Sequence, residues 1–544
     1  MKSPILGAAY VARSINAADN RLINLYPEAT PDGGKTAAYF QRAPGIRPAF
    51  TVSTSGAVRG MWVANNKLYI VAGSTLFQTV PFTLPGGGET ATVTVVGTGI
   101  AGTGPVSMVD NGVQIFIAAN PNGYIYNINT GVFAQIGDPD FPGAVTVGYV
   151  NGYFVFNEPN SARVWVTALY DGTDIDALSF ASAEASPDNV VSLIVDHKEI
   201  WIFGNNSTEV WYDAGQPDYP LAPIQGAFLE TGCAAPYSVA KMDNSVFWLA
   251  ADARGYGMVY RARGYQPQRI STHAIEYAIQ TYSTISDAIA YTYQQDGHFF
   301  YVLTFPTANV TWVYDAATNM WHQRGFLDLT TGNVVRHSPS AVSAYNNRVY
   351  VGDYASNRIG YYDYNFFDEF VAFTRRQVWL RSWRALPAGE NSLKRTAHHS
   401  LQLDCEAGTT NESLSPTDSA PGVQGPPWSV LSSDGTEYPV TNPIVLTSNG
   451  TAYFFQNPAF AVSVRPPRPN DMIASLRWSD DGGHTWSNLH QRSMGFIGQT
   501  GRRVIWRRLG MTQKLRDRVY EVSGSGGGQV AIMGAELIAS GTNA

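Results

Sequence analysis

Short runs in which apolar and aromatic residues alternate with polar ones recur along most of the chain, each introduced by a two-residue turn signal. The signals fall at Asn65-Asn66, Asn111-Gly112, Asn151-Gly152, Asp196-His197, Asp243-Asn244, Asp296-Gly297 and Asn346-Asn347, at intervals of 46, 40, 45, 47, 53 and 50 residues. Asn, Asp and Gly tolerate the positive φ of tight hairpins, and a period of two sends alternate side chains to opposite faces of a strand. Strands are therefore predicted at 68–71, 113–117, 153–156, 200–203, 246–249, 299–303 and 349–351. In six units a second strand follows after another Gly, Asn or Pro break, as in Val164-Trp165-Val166, Val210-Trp211-Tyr212 and Thr311-Trp312-Val313-Tyr314. Each unit reads as a β-meander, and a period of about 40–50 residues with several strands per unit is the signature of a β-propeller. Six to eight blades are allowed, because the first or last unit can share a blade with a strand from the N-terminal segment.

The period is lost near Arg375. The chain therefore divides into an N-terminal segment (1–55), a β-propeller (56–374) and an additional C-terminal β domain (375–544). Within the last, residues 407–427 carry almost no apolar side chains and are expected to form a mobile loop. Strands resume at 452–455, 474–478 and 504–508. Composition supports an all-β chain: 52 glycines, 31 prolines, 12% aromatic residues and 15% charged residues, where an ordinary soluble protein has about 25% charged. Coiled coils and helical solenoids need far more Lys, Glu and Arg. No run approaches the roughly 20 apolar residues that span a bilayer, and residues 1–10 lack a basic region followed by an apolar stretch. The expectation is a protein with no membrane span, made and kept in the cytoplasm. Two cysteines, Cys233 and Cys405, cannot build a disulfide framework and read as ordinary buried residues.

Charge is unevenly placed. Residues 375–544 hold 17 Lys and Arg against 13 Asp and Glu, whereas residues 1–374 hold 19 against 30. An acidic propeller is a poor general gripper of nucleic acid, since that binding draws on Lys and Arg neutralising phosphates.

Most chemical motifs dissolve on inspection. Gly33-Gly34-Lys35-Thr36 ends like a phosphate loop, but Ala29 stands where the pattern needs glycine and a turn replaces the helix. The glycines of 97–102 match G-x-G-x-x-G without the helix that would meet a pyrophosphate. His398, His399, Asp404, Cys405 and Glu406 invite a metal, yet six residues of strand separate His399 from Cys405 by roughly 20 Å. No metal or cofactor site is assigned. The sharpest motif is Ser479, Asp481, Gly483, Thr485 and Trp486, which fits S-x-D-x-G-x-T-W, the Asp-box of sialidases and related propellers. Physically it is a folding device: the carboxylate caps a turn, the glycines take positive φ and the indole packs on the hairpin. Arg502, Arg503, Arg507, Arg508, Lys514, Arg516 and Arg518 follow it, a basic run that is either solvated or an interface with acid or phosphate.

Asn24-Leu25-Tyr26-Pro27-Glu28, Pro44-Gly45-Ile46, the stretches 478–487 and 495–499, Trp506-Arg507-Arg508-Leu509-Gly510 and Arg516-Asp517-Arg518-Val519-Tyr520-Glu521 resemble the packaged DNA stabilisation proteins of short-tailed bacteriophages, the podoviruses. Those are tail hub, or nozzle, proteins. The resemblance implies a structural virion protein in the tail, present in host cytoplasm during assembly. It implies a homohexameric ring below the portal and adaptor proteins that retains packaged DNA, lets it pass on ejection, and docks tail fibre, tailspike or plug proteins. It brings no catalytic residues and no cofactor. Two other readings follow from the propeller and the single Asp-box: a sialidase-like glycoside hydrolase and a glycan-binding propeller. In a ring, the basic run from Arg502 to Arg518 is expected at a subunit or adaptor contact.

Overall fold

The computed structural model describes residues 1–541 apart from 16, 54–55, 85–87, 184–185, 187, 218, 253–254, 372–373, 388–394, 409–428, 432–436, 440–444, 447–451, 454–471, 496–497 and 513–517. Most of the loop expected at 407–427 and part of the strand expected at 452–455 lie outside the described residues. No described helix is long and apolar enough to cross a membrane.

Seven antiparallel sheets follow one another along the chain, from blade 1 (Val58–Ala64 to Glu89–Thr98) to blade 7 (Pro339–Tyr345, Arg348–Asp353 and Arg358–Asp363). The fourth strand of blade 7 is Gly45–Thr51, from the N-terminal segment, in register from Asp363↔Gly45 to Arg358↔Thr51. Ser340 Oγ of blade 7 donates to the Val58 carbonyl of blade 1 at 2.6 Å, closing the ring. Second strands are buried on both faces because each blade is sandwiched between two others; Leu68–Ala72 and Ile115–Ala119 are essentially inaccessible, and they read as continuous apolar runs for the reason that doubly covered strands do. The core is accordingly divided into seven clusters, one at each blade–blade boundary.

The repeated turns adopt left-handed backbone at Asn65 and Asn66, Asp243 and Asn244, and Asn346 and Asn347. In blade 4 the strands end one residue later than the sequence signal suggests, so His197 and Lys198 carry the positive φ. In blade 2 the turn is longer: Asn111 Oδ1 accepts from the backbone of Val113 at 2.9 Å and Gln114 at 2.7 Å.

Most of the remaining strands form a β-sandwich, beside three separate two-stranded sheets. One sheet runs Val504–Met511, Thr396–Cys405, Ala531–Gly541, Ala38–Arg42, Leu25–Ala29. The other contains Trp379–Arg384, Val519–Ser525, Ile473–Ser479 and His490–Ser493, and is continuous with blade 6 through the two-residue strand Leu22–Ile23. Ile23 pairs with Gln323 of the propeller on one side and Leu380 of the sandwich on the other. The cluster between blades 5 and 6 extends across this joint, so Trp312 and Trp321 share one core with Trp379, Trp383 and Trp506.

Hydrogen bonds between the N-terminal segment and both bodies cross the joint. Asn24, at φ 53°, donates to the carbonyls of Gly325 (2.7 Å) and Val378 (2.8 Å) and accepts from the Gly325 N–H at 3.1 Å. Arg42 donates to Gly526, Gly528 and Gln377 carbonyls at 2.7–2.8 Å, and Arg381 to the Ile5 carbonyl at 2.7 Å. A Cβ on Gly45 would stand 2.2 Å from the Phe366 carbonyl, so only glycine fits there.

Near the joint His322 is buried between Tyr26 and Phe300. Burial, reinforced by the Arg324 charge, lowers its pKa to about 3. The unfolded chain takes up a proton below about pH 6.5 and the folded one does not, so stability present above pH 6.5 is lost as pH falls toward 3. This histidine contributes a slope of up to about 1.4 kcal/mol per pH unit. The His322→Phe variant is expected to unfold with a flatter acid limb, read from urea midpoints between neutral and acid pH. Asn24→Ala orphans buried backbone groups and is expected to cost about 2–4 kcal/mol, measured by chemical denaturation.

Candidate functional site

Three features were candidates for function: the Asp-box, the basic run after it, and the axis of the propeller. The Asp-box joins Ile473–Ser479 to His490–Ser493 in the sandwich. Ser479 Oγ donates to Asp481 Oδ1 at 2.6 Å and accepts from the Gly483 N–H at 2.8 Å. Asp481 accepts from the Thr485 backbone at 2.8 Å and its hydroxyl at 2.6 Å. These donors outweigh partial desolvation and hold the Asp481 carboxyl well below the usual range. Gly482 and Gly483 take φ of 75° and 108°, and a Cβ on Gly483 would press against the Asp19 carboxylate at 2.8 Å. Trp486 stacks under two guanidiniums, Arg21 at 5.1 Å and Arg477 at 4.7 Å, and both reach buried Glu521, at 2.6 and 2.5 Å. The box thus ties the N-terminal segment to the sandwich, and its carboxylate is consumed by its own turn.

The basic run divides. Arg518 is buried, paired with Asp480 at 2.7 Å and donating to the Leu509 carbonyl at 2.6 Å, over the ring of Trp478. It belongs inside the sandwich, which corrects its place among the interface arginines: its buried guanidinium is turned to Asp480 and to the Leu509 and Met511 carbonyls, away from the surface. Arg502, Arg503, Arg507 and Arg508 are exposed and make no ion pair with any described residue. Lys514 and Arg516 lie outside the described residues. Arg507 and Arg508 both point outward because a bulge, with Arg508 at φ 60°, interrupts the alternation opposite His398 and Ser400.

The remaining motifs have structural partners. His398 is buried, hydrogen-bonded to Tyr520 at 2.7 Å and Thr396 at 3.0 Å, and burial lowers its pKa to about 4. No group of three metal-ligating side chains occurs among the described residues. The glycine loop near 97–104 wraps Arg59, which donates to the Gly104, Gly73 and Ala101 carbonyls at 2.6, 2.9 and 2.8 Å. Cys233 is buried; Cys405 is only half-buried.

Along the propeller axis lies a cavity of about 1080 Å³ bounded by the inner strands of all seven blades, with Trp62, Tyr149, Tyr237 and Tyr293 on its wall. At about 3.3 Å per residue, seven residues of inner strand give a bore roughly 20 Å long, so this volume corresponds to a cylinder roughly 8 Å across. That is narrower than the major groove alone of a DNA duplex, about 12 Å.

The family model described as "Bacteriophage P22 Gp10, beta-propeller" matches residues 1–366, and "Bacteriophage P22 Gp10, beta-sandwich" matches 446–540. The chain belongs to the P22 Gp10 family. It is a structural component of a phage virion tail, of the kind that stabilises packaged DNA. The motifs of the N-terminal segment, Asn24 and Gly45 among them, are the residues of this Gp10-family protein that join its propeller to its sandwich. No curated protein matches the chain. Among solved structures it is similar to the extracellular domain of BT4673 from B. thetaiotaomicron, with 11% identity over 64% of this chain and 47% of that one and a TM-score of 0.40. The chain spans about half of that domain's length. It is similar also to the N-terminal domain of Nup159 (11%, 64% and 100%, TM-score 0.36) and to the Neurospora crassa Pan2 WD40 domain (8%, 56% and 89%, TM-score 0.36).

Sequence reasoning missed the buried arginines 42, 324 and 381. A lone arginine in a strand carries no local signal of burial; the carbonyls of Gly526, Gly528 and Gln377 that Arg42 binds, of Pro44 that Arg324 binds, and of Ile5 and Ala8 that Arg381 binds are brought to them only by tertiary contacts. Asp481→Ala removes the turn's acceptor and is expected to lower stability by about 1–2 kcal/mol. Hydrogen exchange would show the loosening confined to the hairpin and the Arg21 contact.

Proposed function

We propose that the protein is the subunit of a tail hub or nozzle: a ring of identical copies, six by the family resemblance, below the portal and adaptor proteins. The ring retains packaged DNA, encloses the path of its ejection, and offers surfaces to fibre, spike or plug proteins. The observation that carries this reading is the family match to both bodies of the chain. Two structural features support it. The propeller and sandwich share a sheet and a core, which suits a wall element that must hold its orientation under load. The propeller bore is too narrow for a duplex, so a DNA path would run between copies and not through each one. The glycosidase and glycan-binding readings gain nothing from the Asp-box, whose acid serves its own turn.

The test is a virion assembled without this protein. Filled heads that lose their DNA, regained when the protein is supplied, together with electron-microscopic images placing a ring of it on the distal tail, are expected. Particles that keep their genome in its absence, or tails in which it is not found, would overturn the reading.

A further inference from the structure

Between residues 68 and 197 the chain has eleven acidic side chains and one basic one, Arg163. More than half of the propeller's excess negative charge therefore sits on blades 1 to 3 and the start of blade 4. Three of these acids, Asp171, Asp174 and Asp176, lie at one corner, the loop that joins Arg163–Val166 to Phe180–Ser182 in blade 3. This loop exposes Asp174 and Asp176 together with Leu169 (53%), Tyr170 (64%) and Leu178 (79%).

The loop is clamped in place, and although Leu169 and Tyr170 lie over Gly152 they stay more than half exposed. Tyr170 is held at φ 62°, a strained conformation for an aromatic residue, by a bond from its N–H to the Gly152 carbonyl at 2.8 Å. Gln114 of blade 2 clamps the next residues, donating to Asp171 Oδ1 at 3.0 Å and accepting from the Gly172 N–H at 2.7 Å. Ile175 is buried beneath as the anchor. Strain and exposed apolar area maintained together point to a contact that the isolated subunit leaves unmade.

A matching surface lies on the sandwich. Val504–Met511 is the edge strand of its sheet. On the outer face Arg507, Ser400 and Ile538 stand side by side in one row across three strands, with Ile538 61% exposed and Arg508 beside them. The face is basic and apolar where the blade 3 corner is acidic and apolar. The two cannot meet within one molecule, because the sandwich is continuous with blade 6 and blade 3 is three blades, close to half a turn, away. Complementary patches on opposite sides of one chain make a head-to-tail contact, the kind that generates rings.

We propose that the blade 3 corner (Leu169, Tyr170, Asp174, Asp176, Leu178) docks on the sandwich face around Arg507, Arg508 and Ile538 of a second copy of this chain. The proposal rests on the ring-forming reading above and names its contact. A second copy fits this face better than DNA, since the exposed Ile538 offers apolar area that the apolar side chains of the blade 3 corner can cover and a phosphate backbone cannot.

The test uses two full-length variants, Arg507→Glu/Arg508→Glu and Asp174→Lys/Asp176→Lys, each checked for an unchanged circular dichroism spectrum and melting curve. Wild-type protein is expected to assemble in a concentration- and salt-dependent way by sedimentation velocity. Each variant alone is expected to assemble at least about ten-fold more weakly, a cost of about 1.4 kcal/mol. An equal mixture of the two is expected to assemble again into mixed particles, since each variant's altered patch then faces the other's opposite charge. Variants that assemble like wild type, or a mixture that fails to recover, would overturn the contact. So would wild-type protein that never self-associates, and this outcome would leave the hub reading standing if virions lacking the protein still lose their DNA. Loss of duplex-DNA retention in the arginine variant, with self-assembly intact, would make the face a nucleic-acid contact and also overturn the proposal.

Discussion

Buried backbone must be hydrogen-bonded, and the joint between propeller and sandwich is where this constraint is hardest to meet. Here an irregular N-terminal segment passes between two closed architectures, and neither offers it a full ladder of partners. Three arginines and one asparagine supply what the ladders do not. A guanidinium presents five donors in one plane, so Arg42 reaches three carbonyls from separate segments at once. A lysine ammonium on a flexible stem would not hold that geometry. Arg381 performs the same task for the first residues of the chain, and burial lowers its pKa to about 9, a measure of how dry the joint is.

Because these hydrogen bonds cross the joint from both sides, they tie the two bodies together. The strand Leu22–Ile23 is only two residues long, yet it makes a single sheet of blade 6 and half the sandwich, and five buried tryptophans fill the core on both sides of it. Orientation is therefore fixed between the acidic corner on blade 3 and the arginines on the sandwich edge. For the proposed ring such fixed angles matter, because the direction of one contact relative to the next decides whether copies close into a ring or continue as a filament.

Features that carry chemistry in other proteins serve folding here. The Asp-box is a turn whose acid is saturated by its own backbone. His398 belongs to a core hydrogen-bond chain, and the glycine loop exists to surround Arg59. The propeller likewise implies no activity by itself, since the same fold supports unrelated functions. Family membership and surface character, in place of a catalytic constellation, locate the function in the virion tail.

The propeller was legible in the residue pattern because each blade is built from local contacts: a turn with positive φ, an alternating strand, a return strand, all within about fifty residues. The closing of blade 7 by an N-terminal strand was open to anticipation for the same reason, since a ring of hairpins must end somewhere. The Asp-box was legible as a turn because its bonds span at most four residues. Arg518 was not: whether a guanidinium faces solvent or Asp480 depends on 38 residues of intervening chain, and its neighbours Arg507 and Arg508 look identical in sequence. Nor could the pattern reveal that Asn24 and Gly45 face partners some 300 residues away. Local sequence fixes dihedral angles and periodicity. Burial, charge pairing and the relative placing of two surfaces depend on distant segments meeting, and only the folded chain decides them.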